Sequence, residues 1–122
     1  MTHHVILGAG PAGVIAAETI CKHAPRDTIT VIGDENEAPY SRMAIPYLLI
    51  GKVGEEGTHL RHTAGHFEGL GITVLRGVRA KVLDASKRTI QLSDGKTISF
   101  DTLLIATGSS PATPPIPGIN GP

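Results

Sequence analysis

The chain has no tryptophan, two tyrosines, two phenylalanines and a single cysteine among its 122 residues. With so few rings, the core must be built from Val, Ile, Leu and Ala. One cysteine, Cys21, excludes an internal disulfide, and no charged leader with an apolar run precedes residue 5, so the reading is cytoplasmic rather than secreted. No stretch approaches the roughly eighteen apolar residues of a membrane span. An excess of either charge is also missing. Eleven Lys and Arg cancel eleven Asp and Glu, which argues against a basic face for nucleic acid or anionic lipid. Hydrophobic residues at 40% and this length suit one globular domain with a modest core.

What the sequence does have is an apolar run that meets a glycine turn. "HVIL" passes without a linker into "GAGPAG", Gly8 to Gly13, and then into "PAGVIAAETICKHA". In that last stretch Val14, Ala17, Cys21 and Ala24 recur on one face of an α-helix. Pro11 suits the first helical turn and Pro25 forbids continuation beyond Ala24. "TITVIG", Thr28 to Gly33, is β-branched and apolar, a second strand expected to lie parallel to the first. Strand, turn, helix and strand make a βαβ unit. That context gives the glycines their meaning, since G-x-G-x-x-G on its own is a weak signal. Here the turn follows a strand, opens a helix, and is trailed about twenty residues on by the acids Asp34 and Glu35, as a dinucleotide fingerprint requires. Gly8 permits the sharp turn, Gly10 lets backbone approach a pyrophosphate, and Gly13 lets helix and strand pack closely. Ala9, Pro11 and Ala12 complete the turn. Asp34 or Glu35 would accept hydrogen bonds from an adenosine ribose, and an acid there disfavours a 2′-phosphate.

The fingerprint alone does not separate FAD from NAD. At the other end, "FDTLLIATGSSPATPPIPGI" is an apolar strand ending in Ala106, Thr107 and Gly108, followed by a proline-rich exit. The two motifs together resemble the pyridine nucleotide–disulfide oxidoreductase family in its broad sense, the flavoproteins with two dinucleotide domains. The resemblance covers essentially the whole chain. It implies that both motifs belong to an FAD domain and that "PPIPG" marks the exit toward a separate NAD(P)H domain. By the same analogy the glycine turn holds the FAD pyrophosphate, the acids hold its ribose, and Thr107 and Gly108 pass near the flavin. A plain NAD-binding domain is disfavoured by "LLIATGSSP".

Between the motifs, Gly71 to Phe100 alternates apolar and polar residues with turn signals at "DASK" and "SDGK". A strand at about 72–76 and then a three-stranded antiparallel meander are expected, with Val82, Ile90, Leu92 and Ile98 on its buried face. The resemblance assigns a backbone contact to adenine at Ala80. In "APYSRMAIPYLLIG" the first residues read as loop and the rest as a helix-like or irregular segment interrupted by Pro46. Arg42 is the one cation near the presumed pyrophosphate, with a fork suited to phosphate or carboxylate. Relatives of the coenzyme A-disulfide reductase and NADH oxidase type read like "YSRCGLPYYIG" here, with a redox cysteine where this chain has Met43. The ferredoxin-reductase and rubredoxin-reductase type has a lysine at the place of Tyr47. Neither hallmark side chain is present, and Cys21, on the inner helix face, reads as a small hydrophobe.

His59, His62 and His66 share a helical spacing, but Gly65 and the absence of a nearby carboxylate or Cys set argue for solvent-facing histidines on a short helix rather than a metal site. His3 and His4 fill the start of the first strand. Ser109 and Ser110 lack a nucleophile-elbow pattern. The expectation is a Rossmann-like three-layer α/β FAD-binding domain, parallel sheet plus antiparallel β-meander, over residues 1–122, forming an incomplete N-terminal part of a larger flavoenzyme. That enzyme would take hydride from NAD(P)H bound outside this segment and pass electrons to an acceptor protein or small molecule. Its partners would be the NAD-binding and C-terminal domains of the same enzyme and copies of itself. The isolated chain is expected to be inactive, with no catalytic side chain of its own. The rival reading is a non-catalytic nucleotide-binding subunit or assembly module.

Overall fold

The computed structural model describes residues 1–121. Strand β1 (His3–Leu7) leads through the glycine turn into helix α1 (Pro11–His23), and the chain returns as β2 (Thr28–Ile32). β2 lies parallel to β1 in register from His3↔Thr28 to Leu7↔Ile32. Pro11 opens α1, and the helix stops at His23, ahead of Ala24 and Pro25. Lys22 and His23 occupy its last turn, where positive charge suits the exposed carbonyls. β3 (Ile72–Leu75) adds to the outer edge of β2 and β7 (Thr102–Ile105) to the free edge of β1, both parallel. The sheet order is β3-β2-β1-β7.

The apolar runs are continuous because the sheet is covered on both faces. Period-two alternation sends Ile6, Ile29 and Val31 to one face, where they meet Val14 and Ala17 of α1 and Phe67 of α3 (His66–Gly69). Val5, Leu7 and Ile32 point the other way and pack on Ile90 and Leu92. Those two belong to the antiparallel meander of β4 (Ala80–Asp84), β5 (Thr89–Leu92) and β6 (Thr97–Ser99). Helices, parallel sheet and meander are therefore three layers with two aliphatic interfaces.

Ile90 and Leu92 are buried and Ile98 packs partly against them, as the alternation requires, but Val82 is 55% exposed. The register shifts between Ala80 and Val82. Such a bulge breaks the alternation of β4, an outer strand of its sheet, and turns Val82 outward. A second correction concerns the link between β2 and β3. It contains a 3-10 turn at Arg42–Ala44, helix α2 (Ile45–Leu49), and a second 3-10 turn at Glu55–Thr58. Pro46 lies in the first turn of α2, so it starts that helix instead of interrupting it. The three histidines share no helix. His59 forms an isolated bridge with Tyr40, His62 lies in irregular chain, and His66 opens α3 beside Glu18. The positive φ of Gly65 ends any helix that would have aligned them.

His3 and His4 are anchored within β1. The His3 ring bonds Thr30 Oγ1 at 3.0 Å, and His4 Nε2 lies 2.9 Å from Asp27 Oδ2. The His4 contact, helped by the backbone N–H of Thr2, holds the Asp27 carboxyl below its ordinary range. Cys21 is half-buried on the inner side of α1, its thiol donating to the Leu70 carbonyl at 3.3 Å. Among the described residues no helix is long and apolar enough to cross a membrane.

Candidate functional site

The carboxyl ends of the parallel strands are stitched together at one edge of the sheet. Gly8 N–H donates to the Ile32 carbonyl at 2.8 Å, Ala106 N–H to the Leu7 carbonyl at 2.7 Å, and Gly33 N–H to the Leu75 carbonyl at 2.8 Å. This is the end at which open α/β sheets bind ligands. Gly8 has φ +114, and a side chain there would run into the Ala106 carbonyl. A side chain at Gly13, which is buried, would strike the Gly8 carbonyl. Both glycines are therefore demanded by protein contacts.

Gly10 is different. It caps α1 in extended conformation, φ −80 and ψ −173, and a Cβ built on it meets no atom within 4 Å. Nothing in the protein requires glycine here, so the space above it is free for a ligand. The N–H groups of Gly10, Ala12 and Gly13 have no protein acceptor among the described residues, the first helical bond being Val14 N–H to the Gly10 carbonyl. No acid stands in the first turn of α1. Orphan donors, the positive end of a 13-residue helix and an open shelf fit a bound pyrophosphate. Two shallow hollows, one against Tyr40 and His59 and one against His62 and Arg76, are not lined by the glycine turn. An open shelf is the shape a long dinucleotide lies across.

The acids stand immediately past β2, and the Ala9 Cβ lies 3.0 Å from the place a Gly33 Cβ would occupy, which brings the acid loop against the turn. Asp34 is exposed, whereas Glu35 is held on both oxygens. Tyr40 Oη–H donates to Glu35 Oε2 at 2.7 Å and Arg42 Nη2 donates to Oε1 at 3.0 Å. The tyrosine hydroxyl first, and the guanidinium second, keep the Glu35 carboxyl below its usual range. The same bond pushes the Tyr40 phenol up and the contact with Glu35 pushes Arg42 up.

Gly8 to Gly13, Ala106 and the start of the acid loop come together as the spacing requires. Ala106 follows β7, and Thr107 and Gly108, the latter with φ +69, lead away from it exposed. Ala80 opens β4 just beyond Val78, whose N–H donates to the Gly33 carbonyl at 3.2 Å, so it is tied to the acid loop. Arg42 bonds Glu35, and no hydrogen bond joins it to the glycine turn among the described residues. Tyr40 is the functional candidate that sequence reasoning passed over. The available signal was its place, five residues past Glu35, in a chain with two tyrosines.

The sequence profile of the pyridine nucleotide-disulphide oxidoreductase family matches residues 2–122. The chain is 35% identical over 119 residues to the NADH-dependent phenylglyoxylate dehydrogenase subunit epsilon of Aromatoleum evansii, covering 98% of this chain and 28% of that protein. It is 34% identical to the ferredoxin–NAD(+) reductase subunit of the benzene 1,2-dioxygenase system of Pseudomonas putida, covering 97% and 29%. The crystal structure of NADH:rubredoxin oxidoreductase from Clostridium acetobutylicum superposes with a TM-score of 0.86 at 28% identity, over 96% of this chain and 30% of that one. The chain thus spans less than a third of the length of each.

Proposed function

The chain belongs to the pyridine nucleotide-disulphide oxidoreductase family, and from that premise we propose that it is the FAD-binding part of a longer oxidoreductase. The carrying observation is the open space beside Gly10, faced by orphan N–H groups of α1. In this reading Gly10, Ala12 and Gly13 donate to the pyrophosphate, and Glu35 accepts from the adenosine ribose. Ala80 offers backbone to the adenine, and Ala106 to Gly108 border the flavin side. FAD supplies the hydride-accepting and electron-passing chemistry when bound, while the chain binds and orients it.

NAD(P)H is the proposed hydride donor, bound by a separate domain of the same polypeptide, and a ferredoxin-type protein is the proposed acceptor, after the P. putida relative. No thiol step is assigned. Met43, 84% exposed, stands where a redox cysteine would, and Cys21 is engaged on α1 with Leu70. Exposed Leu104 and Ile105 on β7 and Leu49 and Ile50 at the end of α2 support a further proposal, burial against other domains or a second copy. A cytoplasmic setting keeps the single free cysteine reduced.

The test is optical. The full-length protein should carry yellow flavin bands that bleach on NADH addition, and Gly10→Val should abolish the colour while leaving the fold. A folded, colourless wild-type protein that takes up no added FAD would overturn the proposal.

A further inference from the structure

We propose that Tyr40 is a positioning residue for the ribose acid, its hydroxyl fixing the plane of the Glu35 carboxylate so that the remaining lone pairs read the adenosine 2′-hydroxyl. This rests on the proposed dinucleotide site. A carboxylate offers about four acceptor positions, and Tyr40 and Arg42 take one on each oxygen. Among the described residues no other donor reaches the remaining positions, and their direction is set by the two donors.

The two donors are not equivalent. Arg42 is a long side chain, 64% exposed, whose pairing is screened by water. Tyr40 has a rigid ring on a backbone pinned from both sides. The Ser41 N–H donates to the Thr58 carbonyl at 2.8 Å, the Leu60 N–H to the Pro39 carbonyl at 2.9 Å, and Tyr40 itself bridges His59. Residues 39–41 are thus locked to residues 58–60, and the hydroxyl is delivered to Glu35 from a fixed platform. Tyr40 is also the largest contributor to the low titration of Glu35, which keeps that group an acceptor. A carboxylate held ionised and pre-aimed favours a donating 2′-hydroxyl and rejects both its absence and a phosphate in its place.

The experiment measures binding of ADP and 2′-deoxy-ADP by calorimetry to the full-length protein stripped of flavin, as wild type, Tyr40→Phe and Arg42→Ala, together with the 13C titration of the Glu35 carboxyl. Wild type should prefer ADP by about tenfold, the size of one hydrogen bond to a charged group. Tyr40→Phe should bring the preference toward unity, leave 2′-deoxy-ADP affinity unchanged, and move the Glu35 titration up toward its ordinary value. Arg42→Ala should keep most of the preference. A Tyr40→Phe protein that retains the full preference overturns the positioning role and leaves the dinucleotide site standing. A wild type that binds both equally overturns the reading of the 2′-hydroxyl and leaves the site standing, and one that binds neither nucleotide overturns the site reading and this proposal with it.

Discussion

Gly10 and Gly13 lie three residues apart in one turn, and the structure assigns them opposite sensitivities. At Gly13 an added methyl strikes the Gly8 carbonyl. That is backbone rather than a flexible side chain, so α1 and the turn must move apart, an overpacking that costs about 1–3 kcal/mol. At Gly10 the conformation is extended and no atom lies within 4 Å. Valine there loses a modest capping preference, about 1 kcal/mol or less. A 122-residue domain unfolds with an entropy near 0.26 kcal/mol/K, so 1 kcal/mol moves Tm by about 4 °C. Gly13→Ala should therefore lower Tm by about 4–12 °C, and Gly10→Val by about 4 °C or less. Ligand binding should invert the order. Valine occupies the shelf where two charge-assisted hydrogen bonds to a pyrophosphate would form, each worth about 1.5 kcal/mol or more, so the loss is on the order of 100-fold in Kd. Thermal melts give the first quantity and ADP calorimetry the second. A Gly10→Val protein that melts well below Gly13→Ala, or binds ADP like wild type, would refute the assignment.

Ile90→Ala should destabilise by about 2–5 kcal/mol in urea titrations, because the side chain is fully buried at the meander interface with Val5 and Ile32. Glu35 titrates below its ordinary value in the folded chain, so its contribution to stability is present above the unfolded value and fades as pH falls through the folded one. The stability gap between wild type and Glu35→Gln should accordingly be level near neutrality and close in acid, modestly, since the group is 44% exposed. A gap that widens in acid would reverse the sign of that argument. On the proposed function, Cys21→Ser in the full-length protein should leave NADH-driven dye reduction largely intact, and its disappearance with the fold preserved would mean that the thiol takes part.

The glycine turn, its helix and the parallel pair were legible because each follows from a local rule. Pro11 and Pro25 bracket α1, and β-branched runs mark β1 and β2. The three layers follow as well, since strands apolar on both faces need cover on both. The loops between β2 and β3 were not legible. Whether Arg42 meets a phosphate or Glu35 depends on how residues 39–41 are pinned to residues 58–60, a pairing with no periodicity to announce it. Val82 misled for a related reason, because a one-residue bulge is invisible to an alternating pattern and reverses every facing beyond it. The histidine spacing was a coincidence of sequence that a left-handed Gly65 removes.

The strand order also dictates a timetable. β1 is synthesised before the other strands of its sheet, yet one of its neighbours is β7, and the His4↔Thr102 and Leu7↔Ile105 pairings join residues 98 apart in sequence. On a ribosome, β1 and β2 can associate early, but the other flank of β1 waits until Ile105 has emerged, several seconds later at about 5–20 residues per second. Throughout that interval the turn at Gly8 lacks the Ala106 carbonyl against which it packs. Until then the nascent chain carries an open strand edge, and closing it requires a long-range search of the kind that slows folding. Chaperone dependence of this segment should accordingly end when β7 clears the exit tunnel.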